Sequence, residues 1–116
     1  MHEFATTKAL LEASLKEARK RKAKKINSIE LEIGDFTLLN PEQVETCFDA
    51  IRGEFDETAK AELIIKRIKG KIKCSCGYEG VADLDQIPLP ICPNCGIIAE
   101  VTGGRECTIR RMRLEL

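Results

Sequence analysis

The chain has no tryptophan, one tyrosine and one histidine, His2, and aromatic residues make up only 4% of it. So few rings leave little of the stacking platform on which single-strand nucleic-acid binders rely. No run of about 18 apolar residues occurs, so no segment is expected to cross a membrane as a helix. The amino-terminal stretch lacks the charged-then-apolar layout of a secretory signal, which makes the cytoplasm the expected compartment. Net charge is missing too. The 19 basic and 19 acidic residues cancel, leaving no global field to attract DNA, RNA or an anionic membrane. There is no glycine-rich phosphate loop, and Asp35, Asp49, Asp56 and Glu57 show no pairing of base with nucleophile. Catalysis is therefore not expected.

What is present suffices for a small α+β fold. With 116 residues and 43% hydrophobic side chains, the chain can form one ordinary domain, or a small domain plus a metal-stapled module. From Glu3 to about Lys20, Phe4, Leu11, Leu15 and Ala18 recur at helical spacing. The basic run "KEARKRKAKK" that ends this helix is expected to be a solvated terminus complementing the helix dipole; the sharper reading is a docking patch for an acidic partner. "INSIELEIGDF" alternates as a strand with Ile29, Leu31 and Ile33 on the buried face. Asn40 followed by Pro41 predicts a capped helix start, and Val44, Cys47, Phe48, Ile51 and Phe55 trace its apolar stripe, with Cys47 a small core residue. "AELIIKRIKGKIK" is expected to be one strand and "CTIRRMRLEL" another, with Met112, Leu114 and Leu116 on one face and a phase slip near Arg110 and Arg111. These elements predict a small mixed three-stranded sheet with two helices, built from residues 1–70 and 107–116. Residues 71–106 form an inserted zinc-ribbon-like module, and Gly103-Gly104 supplies the returning turn.

Four of the six cysteines in the chain carry the chemistry of that insert. Cys92 and Cys95 form a CxxCG knuckle, where the turn aims backbone N–H groups at a thiolate and Gly96 takes the left-handed geometry. Cys74 and Cys76 stand one residue closer. In an extended strand both would project from one face and still reach a shared ion. Four thiolates favour zinc, and a closed shell makes the site structural, supplying folding free energy that so few large apolar residues could not. The residues alone also allow an iron-bearing site, or a redox dithiol at Cys92 and Cys95. Cys107, just past the insert, is an alternative ligand.

His2 offers a second, different donor set. The amine of Met1, the backbone nitrogen of His2 and its imidazole can close a five- and then a six-membered chelate ring. The nitrogen or carboxylate of Glu3 can complete a square of N/O donors. Such a square suits Ni(II) or Cu(II) and fits zinc or magnesium poorly. Both amine and ring must be deprotonated, so affinity is expected to fall as pH drops from about 8 to 6. The plain alternative is an idle surface histidine.

The opening "MHE", the following amphipathic helix, the "IxxIxLxIGxF" strand and the "CxCG…CPNCG" pairs together resemble the HypA/HybF family of hydrogenase maturation factors, over essentially the whole chain. The resemblance implies nickel held at Met1, His2 and Glu3 and structural zinc at Cys74, Cys76, Cys92 and Cys95. It also implies delivery of Ni(II) to the large subunit of [NiFe]-hydrogenase with a HypB-type GTPase, by a monomer or weak homodimer. Some family members also serve urease maturation. The first pair departs from the family's usual CxxC. The competing expectation is a zinc-ribbon module that binds nucleic acid, using Lys69, Lys71, Lys73 and Tyr78, although Asp83 and Asp85 offset those charges.

Overall fold

The computed structural model of the protein describes residues 3–82 and 89–116. Met1 and His2 lie outside the described residues, as do Asp83 and Asp85. The chain resolves into two compact units.

Unit one comprises residues 1–31, 39–66 and 108–116. Helix α1, Glu3–Lys20, buries Leu11, Leu15 and Ala18. It also buries Thr7 and Ser14, whose hydroxyls donate back to the carbonyls of Glu3 and Leu10 at 2.6 and 2.8 Å. This is how polar side chains are tolerated inside a helix interface. Phe4, expected on the apolar stripe, is 51% exposed. It belongs to the first turn, where few neighbours can cover it.

Helix α2, Pro41–Ile51, starts where the sequence expects. The Asn40 side chain accepts from the Glu42 and Gln43 amides at 2.9 and 3.3 Å, and Pro41 occupies the first turn. Val44, Phe48 and Ile51 are buried, and α2 packs against α1. Cys47, read as a core residue, is only half-buried, and Phe55 lies beyond the helix end. Its ring instead carries the Arg19 guanidinium 5.6 Å from its centroid, and Arg19 also pairs with Glu57 at 2.8 Å. Part of the basic run is thus tied down rather than simply solvated.

Strand β1, Lys25–Gly34, buries Ile26, Ile29, Leu31 and Ile33. It is the centre of a three-stranded sheet flanked by β2, Glu62–Ile68, and by the chain's last strand, Cys107–Glu115. The exposure pattern of that last strand shows the expected phase slip, since Arg110 and Arg111 are both exposed. Leu116, expected on its apolar face, is 76% exposed past the strand's end.

Unit two comprises residues 32–38 and 67–107. It holds a second three-stranded sheet in the order β4-β3-β5, made of β3, Lys71–Lys73, β4, Glu79–Val81, and β5, Glu100–Gly103; the last strand of the chain is then β6. The segment read as one continuous strand is therefore two. It breaks at Lys69-Gly70, and its two parts belong to different sheets. Asp35 fixes the break, accepting from the Gly70 amide at 3.1 Å and from Arg67 at 3.0 Å. Gly104, at φ +102°, leaves no room for a Cβ, which would come within 2.7 Å of the Gly70 Cα. Here the expected glycine turn is enforced both by conformation and by close approach.

Two substitutions probe unit one. Leu31→Ala, which opens a void under both helices, is expected to cost about 3 kcal/mol, and Asn40→Ala, which removes the cap, about 1 kcal/mol. Urea unfolding followed by circular dichroism measures both, and equal losses would contradict the account.

Candidate metal centre

The core of unit two is small: Ile72, Cys74, Ala82 and Cys92 are buried, with Phe36, Tyr78 and Ala99 packed around them. Two ligand-type side chains thus belong to the core itself. Cys92 is 1% exposed and Cys74 6%, whereas Cys76 and Cys95 lie on the outside. Each pair combines one inner and one outer sulfur.

The pairs sit on two turns built to one plan. At the first, Cys74 N–H donates to the Tyr78 carbonyl at 2.8 Å, and Gly77 N–H to the Cys74 carbonyl at 3.0 Å. At the second, Cys92 N–H donates to the Ile97 carbonyl and Gly96 N–H to the Cys92 carbonyl, both at 2.9 Å. The first turn is the second with one residue removed between the cysteines. In each, the outer cysteine precedes a glycine in the left-handed region, Gly77 at φ +101° and Gly96 at +80°. The CxC pair is therefore not an extended strand, as its spacing suggested. A hairpin turn shortened by one residue delivers its two sulfurs.

All four sulfurs lie within 4.8 Å of one another. Cys74 and Cys95 Sγ are 3.5 Å apart, and Cys76 and Cys92 Sγ 3.7 Å. A tetrahedral zinc with sulfurs at roughly 2.3 Å requires sulfur–sulfur edges of about 3.8 Å. The donor set thus fits zinc in both chemistry and size. Cys107 is outside this group; it begins β6, and burial pushes its thiol pKa up. Cys47 lies on α2, in the other unit.

The electrostatics of the thiols point the same way. The Asn94 side-chain amide, 3.6 Å from Cys76 Sγ, is the main influence holding that thiol down at about 6, helped by the Tyr78 amide and Cys74. At Cys95 the largest single influence, the Ile97 amide, favours the thiolate. The three neighbouring sulfurs and burial together outweigh it and push the thiol up to about 12. Four sulfurs this close cannot all carry charge unless a cation sits among them. Sequence reading missed Asn94, the third residue of "CPNC", because a hydrogen bond across the cluster to the other pair leaves no spacing signal.

Of the N-terminal set, Glu3 alone is among the described residues. It is the first residue of α1, and its carboxylate accepts from the Asn40 amide at 3.2 Å. The third residue of the chain is thereby fastened to the capped start of α2.

A two-helix unit carrying a sheet, with a second unit whose four clustered cysteines fit zinc, defines a small metal-binding protein. The comparisons narrow the class. A family model described as "Hydrogenase/urease nickel incorporation, metallochaperone, hypA" matches residues 1–114. The hydrogenase maturation factor HypA of Methanothermobacter thermautotrophicus is 36% identical, over 99% of this chain and 98% of its own. That of Methanocaldococcus jannaschii is 38% identical with the same coverage. The solution structure of the Ni metallochaperone HypA from Helicobacter pylori superimposes with a TM-score of 0.69 at 23% identity, covering 99% of this chain and 98% of that one, and so shares the fold. The chain belongs to the HypA family of nickel metallochaperones. The family resemblance and the α+β fold with its cysteine-bearing module stand as read from the sequence.

Cys92→Ser is expected to abolish zinc retention and to melt the β3–β5 sheet. Asn94→Ala, which removes only the hydrogen bond to Cys76, should weaken zinc about tenfold with the fold intact. Competition against a chromophoric chelator reads both, and full retention in Cys92→Ser would contradict the assignment.

Proposed function

We propose that the protein binds Ni(II) at its amino terminus and passes it to the large subunit of [NiFe]-hydrogenase during maturation. The donors are the Met1 amine, the backbone nitrogen and imidazole of His2, and Glu3. The observation that carries this reading is the family match, which describes nickel incorporation and begins at residue 1, so that it takes in the Met-His-Glu opening. The anchorage of Glu3 to the Asn40 amide supports it by giving the site a defined base. A HypB-type GTPase in the cytoplasm is the proposed co-worker. The family description also names urease, which makes urease maturation proteins a second class of recipient.

Zinc is assigned to Cys74, Cys76, Cys92 and Cys95, and its role is to hold unit two together. It would close a four-thiolate shell and leave no open position, so it takes no part in transfer. The two sites differ in donor chemistry. Sulfur donors retain zinc, while a planar set of nitrogen and oxygen donors favours nickel, and few ligands at a chain end allow the ion to be released.

The nucleic-acid reading loses its main support in the structure. Tyr78, its only ring in the insert, packs against the buried core of unit two, and its hydroxyl donates to the Val81 carbonyl at 2.7 Å. A ring so engaged is a poor stacking platform.

His2→Ala is expected to lower nickel affinity at least about 100-fold while leaving zinc content and fold unchanged, and an N-terminal extension, which consumes the free amine, should do the same. In the unmodified chain, affinity should fall as pH drops from about 8 to 6, because first the amine and then the ring takes up a proton and is lost as a donor. Isothermal titration with both variants and across pH tests this, and unchanged affinity in both variants would defeat the assignment.

A further inference from the structure

The last strand of the chain carries no residue of either proposed metal-donor set. β6 lies at one edge of its sheet, with β1 as its only strand neighbour among the described residues. Its outward N–H and C=O groups are therefore available to another strand. Beside this edge runs a groove lined by Glu17 and Arg21 from the end of α1 and by Ile109, Arg110, Arg111, Met112 and Leu114 from β6. Ile109, Met112 and Leu114 are half-buried and form its apolar floor.

Charge gives the groove a sign. Of the three arginines on β6, Arg110 is held by Glu30 at 3.4 Å, while Arg111 and Arg113 have no ion-pair partner among the described residues. Arg21 is matched by Glu17 at 2.9 Å. In a chain whose charges cancel overall, this edge is locally basic.

We propose that the free edge of β6 binds an extended acidic segment of a partner protein. Successive residues of a strand face opposite sides, so Met112 and Leu114 lie toward one face and Arg111 and Arg113 toward the other. A strand added here meets apolar neighbours on one face and cations on the other, which selects a segment alternating apolar with acidic residues. The charges also decide against other occupants. A second copy of β6 would set arginine against arginine. Nucleic acid would find phosphate contacts but no ring to stack on, and it would leave the apolar floor unmatched. Arginines serving only to guard an edge against aggregation would not need an open aliphatic floor running beside them.

The probe is a synthetic capped peptide of alternating glutamate and valine, matched in length to β6 and titrated into the ¹⁵N-labelled, zinc-loaded full chain without nickel. The expected result is amide shifts confined to β6 and the end of α1, with a dissociation constant below about 1 mM. Arg111→Glu with Arg113→Glu should weaken this peptide at least about tenfold. The same double variant should bind the lysine–valine peptide that the natural chain rejects. Spectral dispersion shows that the variant is folded. Absence of shifts, shifts centred elsewhere, self-association through β6, or a DNA duplex saturating the same resonances more tightly than the peptide would each overturn the proposal. The titration contains no nickel, so its failure leaves the nickel reading standing, and an N-terminal block that abolishes nickel binding leaves the peptide shifts in place.

Discussion

Unit two depends on the balance between repulsion among four sulfurs and their shared attraction to one cation. Its apolar core is four small or medium side chains, two of them cysteines. Such a core buries little apolar surface to set against the entropy lost when the chain is ordered. Metal–thiolate bonding at the proposed zinc site would add on the order of 10 kcal/mol to that burial. The features around the cluster serve that balance. Backbone amides at the two turns and the Asn94 side chain favour thiolate character, and a glycine follows each outer cysteine so that the turn can close.

The proposed commitment of sulfur to zinc constrains where the cargo ion can be held. Nickel has a strong affinity for thiolates, so a carrier with four of them must keep them occupied if its cargo is to be held elsewhere and released. The proposed cargo site uses a different donor chemistry in a different part of the chain, with Glu3 fixed to the start of α2. A metallochaperone needs this asymmetry, with one ion held by a closed shell as part of the fold and another held by few donors in passing.

Local signals in the sequence were legible to the residue. The bounds of α1, the Asn40–Pro41 start of α2 and the burial of Ile29, Leu31 and Ile33 rest on periodicity and capping, which act within a few residues. What failed depends on distant partners. In "AELIIKRIKGKIK" only Gly70 hints at a break, because the residues on both sides suit strands; Asp35, over thirty positions earlier, fixes it by accepting from the Gly70 amide. β4 and β5, the two short strands that pair with β3, were invisible for lack of periodicity. The CxC spacing was read as a strand because only the hydrogen-bond pattern of the two turns reveals a shared plan. Phe4 and Cys47 matched a helical stripe, yet position along each helix decided how far they were covered.

The central claim is that nickel is carried by nitrogen and oxygen donors at the chain's beginning while sulfur stays with zinc. X-ray absorption at the nickel edge, on the chain with an unmodified amino terminus and zinc in place, tests it most directly. The account predicts a four-coordinate planar nickel with imidazole scattering and no sulfur in its shell, and zinc surrounded by four sulfurs in the same sample. Sulfur bound to nickel, or nickel displacing zinc from the cysteines, would contradict it.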